Sequence, residues 1–305
     1  MKEIVILVLN QMLIMGICMG FGYYCYGKKI LSDQSIRDFA SLTMKYTIPL
    51  SIALSFKEQF QLSRSMEWGQ VFVLTFWGFG MIILLITVVI PKNCTDYQQK
   101  RLCALIPNNA IFGLVIAQSL FGSEGVFLIS AHIVVSNILL WTYGIGILSE
   151  KTNLKSIFLN PAVLGVLAGI LLVMLPFHIP EVIYTPLEKL TALNSPIGLI
   201  LAGGYIARIQ LSKCFKNGAY YLIAFYKLIL GPMLLVPFLL LLRVDRTIAL
   251  VVLVGLLAPT GTAAATFTEM VGMDNTFSSG SVAFNELVCI LTIPIMMTIY
   301  MNIFR

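Results

Sequence analysis

The sequence has few charged residues for its length, and this excludes an ordinary soluble protein. Lys, Arg, Asp and Glu make up 11% of the 305 residues, whereas about a quarter is usual in soluble domains. Hydrophobic residues make up 58%, and the mean hydropathy is +0.91. No segment is polar enough to form a soluble domain. The composition therefore indicates an all-α integral membrane protein that crosses the lipid bilayer several times.

Motifs of common enzymes and metal sites are also absent from the sequence. There is no HExxH, GxSxG or P-loop, and the six cysteines form neither a CxxC motif nor a Cys/His cluster. We therefore expect no catalytic residues, no enzyme activity, no cofactor and no bound metal, although a transported coupling ion, H⁺ or Na⁺, stays open. The net charge of +6 is typical of basic cytoplasmic loops in a membrane protein, so we expect no nucleic-acid partner.

Long hydrophobic runs, by contrast, are abundant. A spanning helix needs about 20 mostly apolar residues. By that criterion ten stretches qualify, near 4–26, 38–56, 68–90, 101–121, 125–148, 156–176, 183–207, 218–242, 247–270 and 278–303. The first run is too long for a signal peptide and has no obvious cleavage site, so we interpret it as a retained transmembrane helix.

The distribution of Lys and Arg predicts the orientation of these helices in the cell membrane. If the N-terminus lies outside, the cytoplasmic connectors contain Lys28, Lys29, Arg37, Lys92, Lys100, Arg101, Lys151, Lys155, Arg208, Lys213 and Lys216. The other side then contains the shorter set Lys2, Lys57, Arg64, Lys189, Arg243, Arg246 and Arg305. Because basic residues concentrate in cytoplasmic loops, we expect both termini on the non-cytoplasmic side of a cell (inner) membrane protein.

Ten helices divide into two units of five, residues 1–150 and 151–305. A unit of five ends on the opposite side of the membrane from its start, so two homologous units are inverted relative to each other. Prolines support this division, since Pro49 in helix 2 has a counterpart in Pro196 of helix 7. Helix 4 contains "IPNNAIFG" and helix 9 contains "LAPTGTAAATF". Paired helix breaks in two halves are typical of inverted-repeat transporters.

The two broken helices are the predicted binding site. A proline leaves backbone groups unpaired, and within a membrane such groups are tolerated where they face protein or a water-filled cavity. Helix N-termini at the breaks attract an anion, while amides and hydroxyls add hydrogen bonds. Glycines at the breaks are expected to let the helices approach closely. The predicted substrate-binding residues are Pro107, Asn108, Asn109, Gly113, Pro259, Thr260, Gly261 and Thr262.

Ionisable residues inside the predicted helices are further candidates, because charge within a membrane is costly. Glu286, with its neighbour Asn285, is a candidate for proton or sodium coupling. Lys227 of helix 8 could neutralise a carboxylate substrate, or form a buried ion pair with Glu286. Both alternatives stay open, as do a structural hydrogen bond of Glu286 and a Lys227 side chain that extends to the membrane surface.

Three other polar residues receive weaker interpretations. Lys45 lies close to the predicted start of helix 2, where its side chain is expected to extend to the membrane surface. A lone histidine such as His132 is more often a structural residue than a proton relay. Asn137, in the same helix, joins the substrate-binding candidates if its side of the helix faces the crossing.

These motifs resemble those of the auxin efflux carrier family, bacterial relatives of the plant PIN-FORMED carriers. Pro107, Asn108 and Gly113 match the pattern Leu-Pro-Asn-Thr-x-x-x-Gly of the fourth helix. That pattern continues with a second proline two residues after the glycine, where this chain has Val115. Pro259 and Gly261 match the family's ninth helix, and "LNPAVLGVLAGILL" and "LTIPIMM" are also similar to the family.

The resemblance implies a fold of ten helices in two inverted repeats, related to the bile acid–sodium symporters, in which helices 4 and 9 cross at their prolines. Helices 1, 2, 6 and 7 would form a scaffold that also makes a homodimer. Helices 3–5 and 8–10 would form a transport domain that moves like an elevator. The connector "LSEKTNLKS" is much shorter than the corresponding loop of the plant carriers, so control by phosphorylation of that loop is not expected.

The resemblance also implies a function, namely transport or facilitated passage of a small organic anion, either a carboxylate or an auxin-like molecule. A sodium-coupled symporter of the bile acid type is the alternative within transport. A membrane sensor or a channel is the alternative from a different class. A channel would be expected to have repeated pore-lining charges or a filter motif, whereas broken helices in inverted repeats favour alternating access.

Overall fold

The computed structural model describes residues 2–59, 62–148, 159–174, 179–208 and 214–304, and nearly all of their backbone is helical. The first half contains α1 (Lys2–Gly27), α2 (Asp33–Leu42), α3 (Ile48–Gln59), α4 (Leu62–Val89), α5 (Tyr97–Leu105), α6 (Leu114–Leu139) and α7 (Ile145–Leu148). The second half contains α8 (Pro161–Met174), α9 (Glu181–Thr191), α10 (Asn194–Ala207), α11 (Gly218–Phe225), α12 (Gly231–Leu241), α13 (Arg246–Leu257), α14 (Thr262–Met270) and α15 (Thr276–Ile303). Most of the connector "LSEKTNLKS" lies outside the described residues, as do Lys151, Lys155 and Lys213.

Several of these helices are long and apolar enough to cross a membrane. In the described residues these are Arg64–Val89, Leu114–Leu148, Glu181–Ala207, Gly218–Leu241 and Thr276–Ile303. Leu13–Gly27, Pro161–Met174 and Arg246–Leu257 are shorter apolar helices. The predicted class, an all-helical multi-pass membrane protein, is confirmed. The arrangement as ten spans in two inverted repeats stays a prediction.

Pro49 and Pro232 each follow a π-helical turn. The turns are Thr43–Thr47, before α3, and Tyr226–Leu230, before α12. Proline has no N–H and crowds the carbonyl four residues earlier, so the α-helical hydrogen bond between these two positions cannot form. In a π-helical turn the amides donate to the carbonyl five residues earlier instead. The amide of Ile48 accordingly donates to Thr43, directly before Pro49. Each proline therefore interrupts an α-helix without ending the span.

Helices α1 and α10 pack against each other, as do α3 and α8. The first pair is in direct backbone contact at Gly203, where a Cβ atom would overlap the carbonyl oxygen of Met19. These pairs correspond to predicted helices 1 with 7 and 2 with 6. The four helices of the predicted scaffold therefore pack as two tight pairs.

Helix α13 lies at the centre of the molecule. Every residue from Ile248 to Leu257 is buried, and the helix packs against α4, α6 and α15. A helix that is apolar on all sides is expected in such a position. Helix α6 bends sharply at Gly122, whose φ of +62° is one that side-chain-bearing residues rarely adopt. This bend lies in the predicted connector between helices 4 and 5.

Candidate functional site

The two broken helices cross as a short antiparallel pair of extended segments. Helix α5 ends at Leu105 and α13 ends at Leu257, and Pro107 pairs with Thr260 where the two segments meet. The backbone N–H of Asn108 donates to Pro259 O at 2.7 Å, and that of Gly261 donates to Ile106 O at 2.9 Å. The two proline-containing segments thus meet and pair through their backbones.

The two glycines of the site have different roles. A Cβ atom on Gly261 would lie 2.9 Å from the carbonyl oxygen of Pro107, so glycine permits the close approach of the two backbones. A Cβ atom on Gly113 would instead lie 2.9 Å from Oδ1 of Asn109, in the π-helical turn Asn109–Gly113. The expectation that Gly113 lets two helices approach each other is therefore wrong, because it makes room for a side chain of its own turn.

The last turn of α5 has carbonyl groups that its interrupted helix cannot satisfy, and distant side chains donate to them. The hydroxyl of Thr260 donates to Cys103 O at 2.8 Å. Nζ of Lys227 donates to Leu105 O at 3.0 Å. Both side chains are fully buried. Thr260 and Lys227 thus stabilise the crossing itself.

Two buried carboxamides connect the crossing to neighbouring helices. Nδ2 of Asn108 donates to Glu286 Oε1 on α15 at 3.1 Å. Nδ2 of Asn109 donates to the hydroxyl of Ser136 on α6 at 3.3 Å. Among the described residues, Oδ1 of Asn109 and Oε2 of Glu286 are buried atoms without a hydrogen-bond partner. Each therefore has an unused acceptor beside the crossing.

A cavity of about 220 Å³ lies next to the crossing. The helix α14, nine residues long, begins at its wall with Thr262, and the π-helical turn that leads into α6 begins there with Asn109. Pro107, Asn108, Gly261 and Asn137, which are among the predicted substrate-binding residues, also line it. The other lining residues are Met44, Ile48, Ile106, Ile133, Ser136, Leu140, Trp141, Asn160, Pro161, Ala162, Ala263 and Phe267.

Several predicted site residues lie elsewhere. Pro259 and Thr260 belong to the crossing, and Gly113 faces its own turn; none of the three lines this cavity. Asn285 lies on α15 beside Glu286, and its Nδ2 donates to Ser281 O at 2.9 Å.

Sequence interpretation missed four polar or aromatic residues of the cavity, Ser136, Trp141, Asn160 and Phe267. Asn160 donates from Nδ2 to Asn137 Oδ1 at 3.1 Å, and its own Oδ1 accepts from the backbone N–H of Ala162 at the start of α8. Its position before a proline at a helix start was the signal available in the sequence.

The remaining ionisable candidates are Lys227, Glu286, His132 and Lys45. Lys227 and Glu286 do not approach within 4 Å of each other, so the ion-pair alternative finds no support among the described residues. His132 is fully buried, and its Nδ1 lies 3.0 Å from the hydroxyl of Thr75. Lys45 is exposed, and the extension of its side chain to the membrane surface stays a prediction.

Comparison with known proteins identifies one family. The sequence model of the family described as "membrane transport protein" matches residues 7–153 and residues 147–297. Together these matches cover most of the chain. No curated protein matches the sequence.

Proposed function

The chain belongs to the membrane transport protein family, the family of the auxin efflux carriers, and from that premise we propose that it carries a small organic anion through the cavity beside the crossing. The membership makes it a membrane transporter. The substrate, the elevator mechanism and the coupling are our proposals. One observation carries the choice of an anion, namely that two helical segments begin at the wall of the same cavity.

A helix N-terminus presents unpaired N–H groups and partial positive charge. At this cavity the segments beginning at Asn109 and Thr262 supply those groups. The described lining contains no basic side chain, so a carboxylate would be bound by backbone dipoles and neutral donors. Nε1 of Trp141 is a buried donor without a partner among the described residues, and it is well suited to a carboxylate oxygen.

The rest of the lining favours a substrate with a small apolar body. Six of the lining side chains are large and apolar, namely Met44, Ile48, Ile106, Ile133, Leu140 and Phe267. The volume of about 220 Å³ is below the roughly 300–1,000 Å³ of pockets that hold drug-sized ligands. These features support a monocarboxylate, such as a short-chain or single-ring acid, as the substrate.

The helix packing supports two inverted repeats and elevator movement. In an inverted repeat of five helices, helix 1 corresponds to helix 6 and helix 2 to helix 7. The contact of α1 with α10 then corresponds to the contact of α3 with α8, and both are tight. The cavity lies between α3 and α8 on one side and α6 and α14 on the other. A substrate there would be carried as one group of helices slides past the other.

Orientation and assembly complete the proposal. The protein would lie in the cell (inner) membrane with both termini on the non-cytoplasmic side, as the basic residues predict. Arg246→Cys would then react with an impermeant thiol reagent in intact cells, whereas Lys28→Cys, in the connector after α1, would react after permeabilisation. The reverse pattern would contradict this orientation. A homodimer through the scaffold helices is proposed as well, and native mass spectrometry in lipid nanodiscs tests it.

Uptake into proteoliposomes tests the transport proposal directly. The substrates tested would be radiolabelled pyruvate, L-lactate, benzoate and phenylacetate. Their uptake into proteoliposomes would be compared with their uptake into protein-free vesicles, in the presence and absence of sodium. Trp141→Phe removes the unpartnered Nε1–H donor beside the proposed anion and should weaken binding by about ten- to a hundredfold, from the roughly 1.5–3 kcal/mol of a charge-assisted hydrogen bond. Trp77→Phe, at an exposed tryptophan of α4, is the matched control. Equal uptake by both variants would place the substrate elsewhere, and uptake dependent on sodium would favour the bile acid-type symporter.

A further inference from the structure

A second cavity, of about 280 Å³, lies on the other side of α14 from the crossing cavity. One face of α14 lines it with Thr262, Ala265, Thr266 and Glu269, at the spacing of successive helical turns. Helix α15 contributes Ser279 and Val282 together with its N-cap residue Asn275, and α10 contributes Tyr205 together with its C-cap residue Arg208. Thr262 lines both cavities, so α14 separates two compartments.

The second cavity extends from solvent towards a buried carboxyl group. Arg208 and Glu269 are exposed at one end. Val282, at the other end, precedes Glu286 by one helical turn on the same face of α15. Glu286 is fully buried, and Tyr205 lies within electrostatic reach of it. The cavity therefore leads to within one helical turn of Glu286 without passing through the crossing cavity.

Glu286 in turn contacts the crossing cavity through one amide. Asn108 donates to Oε1 of Glu286 and also lines the crossing cavity. The nitrogen and oxygen of a carboxamide lie on opposite sides of its carbon. While Nδ2 of Asn108 donates to an ionised Glu286, the end that remains for a ligand is Oδ1, which repels an anion.

From these contacts we propose that Glu286 is a proton-binding site that is loaded through the second cavity and reports its state to the substrate through Asn108. This inference rests on the proposed transport of an organic anion. A proton from water in the second cavity is taken up by the Glu286 carboxylate, which becomes a neutral acid. Its O–H then donates to Oδ1 of Asn108 after the amide rotates by half a turn, and Nδ2 turns towards the anion. One proton and one monoanion cross together, and the transfer is electroneutral.

Other titratable and charged groups lie on α15 and on the elements that pack against it. Tyr205 on α10 and Cys289 on α15 interact electrostatically with Glu286. Lys227, in the turn before α12, donates to Leu105 O, and Glu269 on α14 accepts from Asn275. Cys103 of α5 and Tyr220 of α11 lie on two further elements that contact α15. From α13 the charged residue is the exposed Arg246, and the described titratable side chains of α1 are Cys18, Cys25 and three tyrosines.

A proton fits the contacts of Glu286 better than sodium does. Oε1 already accepts a hydrogen bond from an amide N–H donor, which a sodium ion at the same oxygen would have to displace. A proton on Oε1 keeps a hydrogen bond to the same side chain, because the acid O–H donates to Oδ1 of Asn108 once the amide has rotated.

Binding and transport measured against pH test the proposal in the full-length protein. Affinity for the best of the four monocarboxylates should fall about tenfold per pH unit above the titration of Glu286, because one proton binds with each anion. Glu286→Gln mimics the neutral acid, so its affinity at high pH should match that of the wild type at low pH, and uptake should no longer respond to a pH gradient. Glu188→Gln, an exposed carboxyl of α9, is the matched control.

Two further measurements distinguish the route by which a proton reaches Glu286 from the binding of the proton itself. Ala265→Leu fills the second cavity and should slow uptake while leaving the pH dependence of affinity unchanged. Infrared difference spectra across the pH range should contain a protonated-carboxyl band that is lost in Glu286→Gln and kept in Glu188→Gln. If Glu286→Gln does not fold, Glu286→Asp keeps a titrating carboxyl and should move the pH at which affinity changes.

Three results would overturn the inference, and each differs from a failure of the transport proposal. They are wild-type pH dependence in Glu286→Gln, uptake that responds to membrane potential, and a carboxyl band that survives the substitution. Absence of uptake of all four acids by the wild type would instead contradict the proposed substrates. The infrared measurement would still decide whether Glu286 binds a proton.

Discussion

Nζ of Lys227 lies 3.0 Å from the backbone carbonyl oxygen of Leu105, 122 positions earlier in the chain. The sequence left open whether this lysine binds substrate, pairs with Glu286 or extends to the membrane surface. It donates instead to a carbonyl in the last turn of α5, where the following proline ends the helix. The proline break thus creates an acceptor, and a distant lysine satisfies it.

Replacement of this lysine should therefore weaken the fold without any contribution from Glu286. Lys227→Met leaves the carbonyl of Leu105 buried and unpaired, at a cost of about 1–3 kcal/mol. Because the two side chains are not paired, the effects of Lys227→Met and Glu286→Gln should add within about 0.5 kcal/mol. Thermal unfolding in detergent measures the single and double variants, with the exposed Lys45→Met as control. A double variant more stable than that sum would mean that the two charges interact after all.

The two glycines of the site should respond differently to alanine. At Gly261 the added Cβ atom would lie 2.9 Å from a backbone carbonyl oxygen, and neither backbone of the crossing can move without losing its hydrogen bonds. At Gly113 the obstacle is the end of the Asn109 side chain, which can rotate. Gly261→Ala should therefore lower the melting temperature, while Gly113→Ala should mainly weaken ligand binding.

Gly146 in α7 supplies the control for both glycine variants, because a Cβ atom there would have no neighbour within 4 Å. Gly146→Ala should be neutral, or stabilising by up to about 1 kcal/mol, since alanine favours a helix. If all three variants unfold at the same temperature, the close approach at Gly261 is not as tight as the distances indicate.

The crossing was predictable because its signals are local in the sequence. Pro107 and Pro259 each interrupt an apolar run, and carboxamides or hydroxyls follow at once. The role of Thr260 was not predictable, because the carbonyl to which it donates belongs to Cys103, 157 positions away. Which of two neighbouring polar residues faces a cavity and which faces the backbone depends on tertiary packing, and no local pattern encodes it.

The residues of the cavity wall were only partly predictable, for the same reason. Asn137 was expected at the site only if its side of the helix faced the crossing, and it does line the cavity. Its neighbour Ser136 faces Asn109, and Trp141 lies one turn further on. Asn160 enters from the other half of the chain. Membership of a site assembled from both halves requires the relative position of α6 and α8, which no connector sequence specifies.

Asp33, in the connector between α1 and the proposed second span, supplies a prediction about pH. The hydroxyl of Tyr26 donates to its carboxylate at 2.8 Å, and Nη2 of Arg208 lies 2.8 Å from the same oxygen. The hydrogen bond from Tyr26 and then the charge of Arg208 lower the pKa of Asp33 below its ordinary value. A lowered pKa in the folded state contributes stability above the pKa of the unfolded state, and that stability is lost as the pH falls through the folded-state pKa.

Asp33→Asn should therefore lower the melting temperature at neutral pH, and the difference from the wild type should shrink as the pH falls below the ordinary range of aspartate. Asp38→Asn is the control, because Asp38 is exposed on the same helix and accepts from Gln34 instead of a cation. Melting curves at a series of pH values measure both variants. A difference that is constant across the series would show that the carboxylate form of Asp33 does not stabilise the fold.

Elevator movement requires that the predicted transport helices slide past the scaffold, and a small interface cavity permits a direct test. Ser65 on α4 and Ile170 on α8 both line a cavity of about 80 Å³, away from the crossing. A short bifunctional thiol reagent joining Ser65→Cys to Ile170→Cys should stop uptake, and a reductant that cleaves the link should restore it.

Lys57 and Leu172, in contact within the scaffold through a 3.1 Å hydrogen bond, supply the control pair. Linking Lys57→Cys to Leu172→Cys should leave uptake unchanged, because the two helices would move as one body. Uptake that persists with α4 and α8 linked would rule out the elevator and favour rearrangement within the cavity itself.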